Sequence, residues 1–163
     1  MHALLDTLQQ QGWTIDKPSR PWTIPVPIRT RYDWVPSQVI SLLCSISRAS
    51  APDERAWLVT GADFNGQSIA AFRWNEWEHL SLGAAKADGD RAWMLEIEAF
   101  WDDHFPISTS VRGGYAFLAI ERDSLNVVMG REPEFEETEL VAESFIETLR
   151  MMSIRASEVS LFA

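Results

Sequence analysis

Residues 105–129 read FPISTSVRGGYAFLAIERDSLNVVM, which is three apolar runs separated by two short turns. The runs are Phe105 to Val111, Tyr115 to Glu121 and Leu125 to Met129, and the middle one is apolar at both odd and even positions. The turns contain Gly113-Gly114 and Asp123-Ser124, residue types that favour tight connections. Short turns between β-prone runs predict an antiparallel meander whose middle strand is apolar on both faces.

Helical patterns lie on both sides of this predicted meander. Short amphipathic patterns predict helices over 2–11 and from Pro36 to about 46, and 68–82 and 92–101 read better as helix than as strand. Ala56 to Val59 is predicted to be a further strand. Thr138 is placed to cap a final helix whose buried stripe is spaced by four, four and three residues: Val141, Phe145, Leu149 and Met152. The sequence therefore predicts the α+β class.

The N-terminal segment, 1–35, combines a helical pattern with a stretch rich in proline and tryptophan, and we expect the core of the domain to be 36–163. Residues 16–36 hold five prolines, which lack an amide donor and restrict the preceding residue, so we expect this stretch to be extended or looped. Apolar residues such as Trp22 and Ile24 are interleaved with the prolines and indicate packing onto the domain. The whole chain, 1–163, has the length of one domain.

The formal net charge of −10 is concentrated beyond residue 48. A direct nucleic-acid binder needs basic residues to displace phosphate counterions, so we do not expect that class. A basic protein partner stays open because opposite charges speed encounter, and so does the alternative that acidity only keeps the protein soluble. The single cysteine, Cys44, lies in an apolar run and suits a reducing compartment. The N-terminus lacks a secretory leader and no segment has the length of a membrane span, so we expect a cytoplasmic protein without membrane association.

Two clusters of carboxylates and imidazoles suggest an enzyme as one alternative. They surround His79 and His104, and a metal site would combine Asp102, Asp103, His104 and His79. Neither cluster has a recognised metal-ligand spacing, and a solvated helix end accounts for the first. The sequence also has no nucleophile elbow and no phosphate-binding loop. We therefore predict no catalytic residues, no metal and no cofactor.

The segment Glu132-Pro133-Glu134-Phe135-Glu136-Glu137-Thr138-Glu139 has five glutamates within eight residues. One interpretation is a solvated loop whose carboxylates favour the N-terminus of the next helix. The other is a partner-binding patch, extended by an aromatic surface because tryptophan is favoured at interface centres. On the second interpretation the partner-binding residues are Glu132, Glu134, Phe135, Glu136, Glu137, Trp74, Trp77, Trp101 and Asp102.

Four runs follow one another in the second half of the chain: Phe105-Pro106-Ile107, the stretch from Gly113-Gly114 to Ile120, Val127-Val128, and Leu140 to Leu149. Their order and spacing resemble those of the SUKH superfamily, which contains bacterial immunity proteins and fungal cell-wall-assembly regulators. Trp34-Val35-Pro36 followed by a helical run is similar to the entry of an early helix in that family. The resemblance covers roughly residues 100 to 152.

This resemblance implies a curved antiparallel sheet flanked by helices, with the C-terminal amphipathic helix packed on the sheet. It also implies a non-enzymatic immunity protein that binds and neutralises a toxin, for example a nuclease with a basic substrate channel. A regulatory or scaffold domain that binds another cellular protein is the first alternative, and a small hydrolase or metal enzyme is the second. The oligomeric state stays open.

Overall fold

A computed structural model describes residues 2–163, apart from the side chain of His2, and its centre is one open antiparallel sheet. Within the described residues seven strands follow one another across the sheet in chain order, each hydrogen-bonded to the next. They are β1 (Thr14–Asp16), β2 (Arg48–Ser50), β3 (Ala56–Leu58), β4 (His104–Ser110), β5 (Ala116–Glu121), β6 (Val127–Arg131) and β7 (Glu134–Ala142). Irregular register in β4 against β5 and in β6 against β7 adds twist, so the sheet is curved.

Helices flank this sheet. The helices are α1 (His2–Gln10), α2 (Val26–Arg31), α3 (Ser37–Cys44), α4 (Gly61–Phe64), α5 (Glu76–Asp88), α6 (Arg91–Asp102) and α7 (Phe145–Ile154), followed by a 3-10 turn at Ser157–Val159. Asp90 caps α6 by accepting a hydrogen bond from the Trp93 amide, and Ser144 caps α7 by accepting one from the Glu147 amide. None of the described helices is long and apolar enough to cross a membrane.

The two faces of the sheet carry separate hydrophobic cores because side chains alternate along each strand. In β5, Ala116, Leu118 and Ile120 join the larger core, to which α1, α3 and α7 also contribute. Phe117 and Ala119 point the opposite way, into a smaller core beneath α5 and α6. The prediction of a middle strand that is apolar on both faces is thereby confirmed, as is the amphipathic C-terminal helix packed on the sheet.

Two sequence-based predictions are wrong: one concerns the acidic segment and the start of the final helix, and the other concerns part of the proline-rich stretch. The acidic segment is neither a loop nor the start of the final helix: from Glu134 it is strand β7, paired with β6, and Val141 lies in that strand. The final helix therefore begins at Phe145, and its cap is Ser144 instead of Thr138. In the proline-rich stretch, α2 forms directly after Pro25 because proline is tolerated in a first helical turn.

Candidate functional site

The acidic segment forms the hairpin between β6 and β7. Gly130 pairs with Thr138 but the next residue, Arg131, pairs with Glu134, so the β7 strand has extra residues at 135–137. This bulge pushes Phe135 inward, where its ring stacks on Trp77 of α5 with centroids 5.4 Å apart and an interplanar angle of 16°. The neighbouring carboxylates, Glu134 and Glu137, stay exposed. The bulge thus anchors the hairpin through one aromatic ring and presents the flanking glutamates.

A groove of about 350 Å³ separates this bulge from the α5–α6 hairpin. Its floor is apolar and includes Leu80 and Ala84 of α5 and Trp93 of α6, with Leu80 44% and Trp93 36% exposed. Its rim on the sheet side carries Glu134, Glu136 and Glu137, and we call this feature the acidic groove. An apolar floor inside a rim of carboxylates suits an amphipathic ligand that carries positive charge.

One carboxylate of the acidic groove is held in place by the protein. Glu136 is half-buried, and its Oε1 accepts a hydrogen bond of 3.0 Å from the indole Nε1 of Trp101. Trp101 is itself fully buried and packs on Phe117 with ring centroids 4.7 Å apart. The core beneath α5 and α6 therefore fixes the position of a rim carboxylate, which reduces the side-chain entropy that binding would cost.

The predicted partner-binding residues divide into three groups. The first group lies together on the β6–β7 hairpin and comprises Glu132, Glu134, Glu136 and Glu137. Trp77, Trp101 and Phe135 are 2%, 0% and 6% exposed. They are core residues, so the prediction that they form an aromatic contact surface is wrong. Trp74 and Asp102 lie apart from the β6–β7 hairpin. The ring of Trp74 packs edge-on against Tyr32 and Phe64, on the side of the larger core.

Asp102 belongs to an ion-pair network that joins α2 to the α5–α6 hairpin. The guanidinium of Arg31 donates two hydrogen bonds to Glu78, of 2.7 and 3.0 Å, and one of 2.7 Å to Asp102. Burial disfavours the Arg31 charge, but the hydrogen bonds to these carboxylates outweigh it and raise the pKa of Arg31. Glu78 is almost fully buried, so the bidentate pair positions the hairpin over the sheet.

The residues of the alternative metal site do not converge. His104 is buried on β4, where its Nδ1 lies 2.7 Å from the Phe100 carbonyl oxygen and its ring stacks on Phe100, whereas His79 is exposed on α5. Burial lowers the pKa of His104. No three side chains of His, Cys, Asp or Glu among the described residues are grouped so that they could hold a metal ion. Cys44 is buried, and burial raises the pKa of its thiol.

Sequence reasoning missed the floor of the acidic groove. Trp77, Ser81 and Ala85 form the buried stripe of α5 at spacings of four. Leu80 and Ala84 form a second stripe with the same spacing. The sequence could have indicated it, because one core-facing stripe of α5 does not account for these two apolar residues. Its partner, Trp93, comes from another helix, and only the folded hairpin shows that the two adjoin.

Comparison with models of known families, with curated proteins and with solved structures finds no match to this chain.

Proposed function

We propose that this protein is a non-enzymatic binding protein that acts in the cytoplasm, and that it neutralises a cognate bacterial toxin as an immunity protein. The observation that carries the proposal is the acidic groove, where exposed Leu80 and Trp93 lie beside Glu134, Glu136 and Glu137. Stable interfaces combine an apolar centre with a polar rim, and tryptophan is enriched among the residues that dominate binding energy. The groove offers both features on one surface.

The charge of the groove selects the chemistry of the partner. A lysine or arginine of a partner that entered beside Glu134 and Glu137 would meet carboxylates while its methylene groups covered Leu80. The face of the Trp93 indole would attract the same cation. Nuclease toxins have basic substrate channels, so the groove supports binding of such a domain, and the net charge of −10 would accelerate the encounter.

The test compares two triple variants that change the net charge equally. The groove variant is Glu134→Gln, Glu136→Gln and Glu137→Gln, which keeps an oxygen acceptor for Trp101. The control variant is Asp123→Asn, Glu143→Gln and Glu158→Gln, three exposed carboxylates outside the groove. Each tagged protein is used to capture partners from the native organism at low and high salt, and captured proteins are identified by mass spectrometry.

We expect wild type and control to recover one basic protein that the groove variant loses, and we expect high salt to release it. Stoichiometric addition of wild type should then abolish the toxic activity of that protein, and the association rate should fall about tenfold or more for the groove variant. Equal recovery by the groove variant would contradict the role of the groove. Recovery of a partner with no toxic activity would instead support the regulatory or scaffold alternative.

A further inference from the structure

The helical hairpin α5–α6 packs on one face of the sheet, over β5, β6 and β7. Cα partners across the strands define one transverse row on this face, which runs Thr14, Ser50, Trp57, Thr109, Phe117, Gly130 and Thr138. Phe117 lies in the core beneath the hairpin. Ser50 and Trp57, on β2 and β3, instead line a cleft of about 290 Å³.

This cleft, which we call the β2–β3 cleft, exists because the two strands separate. β2 and β3 share one pair of Cα partners, Ser50 and Trp57. Beyond that pair β3 stays paired with β4, and the Val59 amide donates a hydrogen bond to the Ile107 carbonyl. Residues 68–72 line the same cleft as Arg48 of β2 and Leu58 of β3. That segment belongs to no helix or strand.

The hydroxyl of Ser50 is the unusual polar group of the β2–β3 cleft. Ser50 is 7% exposed, and its Oγ has no hydrogen-bond partner among the described residues. Its neighbour Ala49 points into the larger core, so strand alternation directs the Ser50 side chain to the cleft face. By contrast, the buried Ser108 donates a hydrogen bond of 2.8 Å to the Trp57 carbonyl. Buried hydroxyls are nearly always paired, which makes Ser50 a polar group that lacks its partner.

The other walls of the cleft set the chemistry of that partner. Trp57 stacks on Phe72 with centroids 6.0 Å apart and an interplanar angle of 9°, and the side chain of Ile69 is 81% exposed at the opening. Two of the charged lining residues neutralise each other, because Arg48 pairs with Glu54. The third, Asp63, accepts hydrogen bonds from the amide and hydroxyl of Thr60. The cleft thus offers aromatic and aliphatic walls, charges that are already engaged, and one unpaired hydroxyl.

We propose that the β2–β3 cleft is a binding site for a small uncharged molecule that is mainly aromatic and carries one hydrogen-bonding group. The ring system occupies the space beside Trp57 and Phe72, and the polar group pairs with the Ser50 hydroxyl. Few convergent polar groups in a mainly apolar concave site are typical of small-molecule sites. This site is separate from the acidic groove and does not depend on the function proposed for it.

The test uses N-phenyl-1-naphthylamine, a neutral aromatic amine with one N–H group whose fluorescence rises in apolar surroundings. We expect saturable binding of one molecule per chain. Ser50→Ala should weaken that binding about fivefold to tenfold, which is the value of one hydrogen bond. Ala70→Phe, which fills the cleft from its half-buried rim, should abolish it. The matched control is Ser153→Ala, because the hydroxyl of Ser153 is buried and already donates to the Arg150 carbonyl; it should bind the probe like wild type.

Urea unfolding of the same variants separates binding from stability. Ser50→Ala should unfold at the same or a higher urea concentration than wild type, since it removes a hydroxyl with no partner, whereas Ser153→Ala should unfold earlier. The proposal is overturned when wild type shows no saturable binding, or when Ser50→Ala binds the probe as tightly as Ser153→Ala does. The second comparison holds whether or not Ala70→Phe folds.

Discussion

At the scale of single residues, Gly130 allows the bulge that shapes the acidic groove. A Cβ atom added at Gly130 would overlap the Phe135 carbonyl oxygen and the Phe117 ring. The backbone of β7 can therefore approach β6 only where there is no side chain. Gly130 therefore helps to position the carboxylates on the rim of the acidic groove, because only a residue without a side chain fits at this position of β6.

The same substitution at two glycines should change stability in opposite directions. Gly130→Ala forces a methyl group into backbone and ring atoms, so we expect it to destabilise the fold by about 2 kcal/mol or more. Gly83→Ala lies in the exposed middle of α5, where the added methyl group meets no atom of the described residues within 4 Å. The substitution also removes a poor helix former, so we expect stabilisation by about 0.5–1 kcal/mol. Urea unfolding monitored by tryptophan fluorescence measures both. Unchanged or raised stability of Gly130→Ala would contradict the contact assigned to Gly130, and lower stability of Gly83→Ala would contradict the open surroundings of Gly83.

At the scale of elements, the sequence predicted best those segments whose local pattern agrees with their surroundings. The strand around Phe117 and the helix around Ile97 lie where their patterns predict them. The helix predicted over 68–82 instead runs from Glu76 to Asp88, so the prediction is wrong for residues 68–75. The acidic segment was misread because glutamates alone favour helix or loop, whereas pairing with β6 and the burial of Phe135 fix it as a strand. β1 and β2, with three residues each, are too short to show a period.

One ion pair ties the β2–β3 connection to the β4–β5 turn, and it should make stability depend on acid. Arg112 donates two hydrogen bonds, of 2.8 and 2.7 Å, to the carboxylate of Asp53, and this contact lowers the pKa of Asp53 to about 2. Because the folded pKa lies below the ordinary value, the pair stabilises the fold above about pH 4. The contribution is lost as pH falls through about 2. Since the Asp53 side chain is 44% exposed, solvent screening limits it to under about 1 kcal/mol.

The pH dependence can be measured with Asp53→Asn. We expect this variant to unfold at lower urea concentration than wild type at pH 7, and we expect the difference to shrink between about pH 4 and pH 2. Arg112→Gln should lose the same pH-dependent part, together with a constant part from its hydrogen bond to the Ser160 carbonyl. A difference between wild type and Asp53→Asn that stays unchanged down to pH 2 would rule out the ion pair as its cause.

At the scale of the whole molecule, the acidic groove is a product of tertiary structure. Its carboxylates were identified from one continuous segment, but its floor comes from Leu80 and Trp93 on two different helices. Arg31 of a third helix, α2, pairs with Glu78 of α5 and so positions the helical hairpin α5–α6 that carries this floor. A sequence pattern records which residues are exposed along one element, and it does not record which elements adjoin, so the rim could be predicted and the groove could not.

The placement of negative charge should also appear in the stability of the protein without any partner. The net charge is −10, and Glu134, Glu136 and Glu137 lie together on one edge of the sheet, so their mutual repulsion opposes folding at low ionic strength. We expect the groove variant with three Glu→Gln changes to be more stable than wild type by about 0.5 kcal/mol at about 10 mM salt, where the Debye length is about 30 Å. At about 1 M salt that length is about 3 Å, so the difference should vanish. The control variant, whose three carboxylates are spread over Asp123, Glu143 and Glu158, should gain less at low salt despite an equal change in net charge. Thermal unfolding across a salt series distinguishes the two, and equal gains for both variants would show that total charge matters and the clustering at the groove does not.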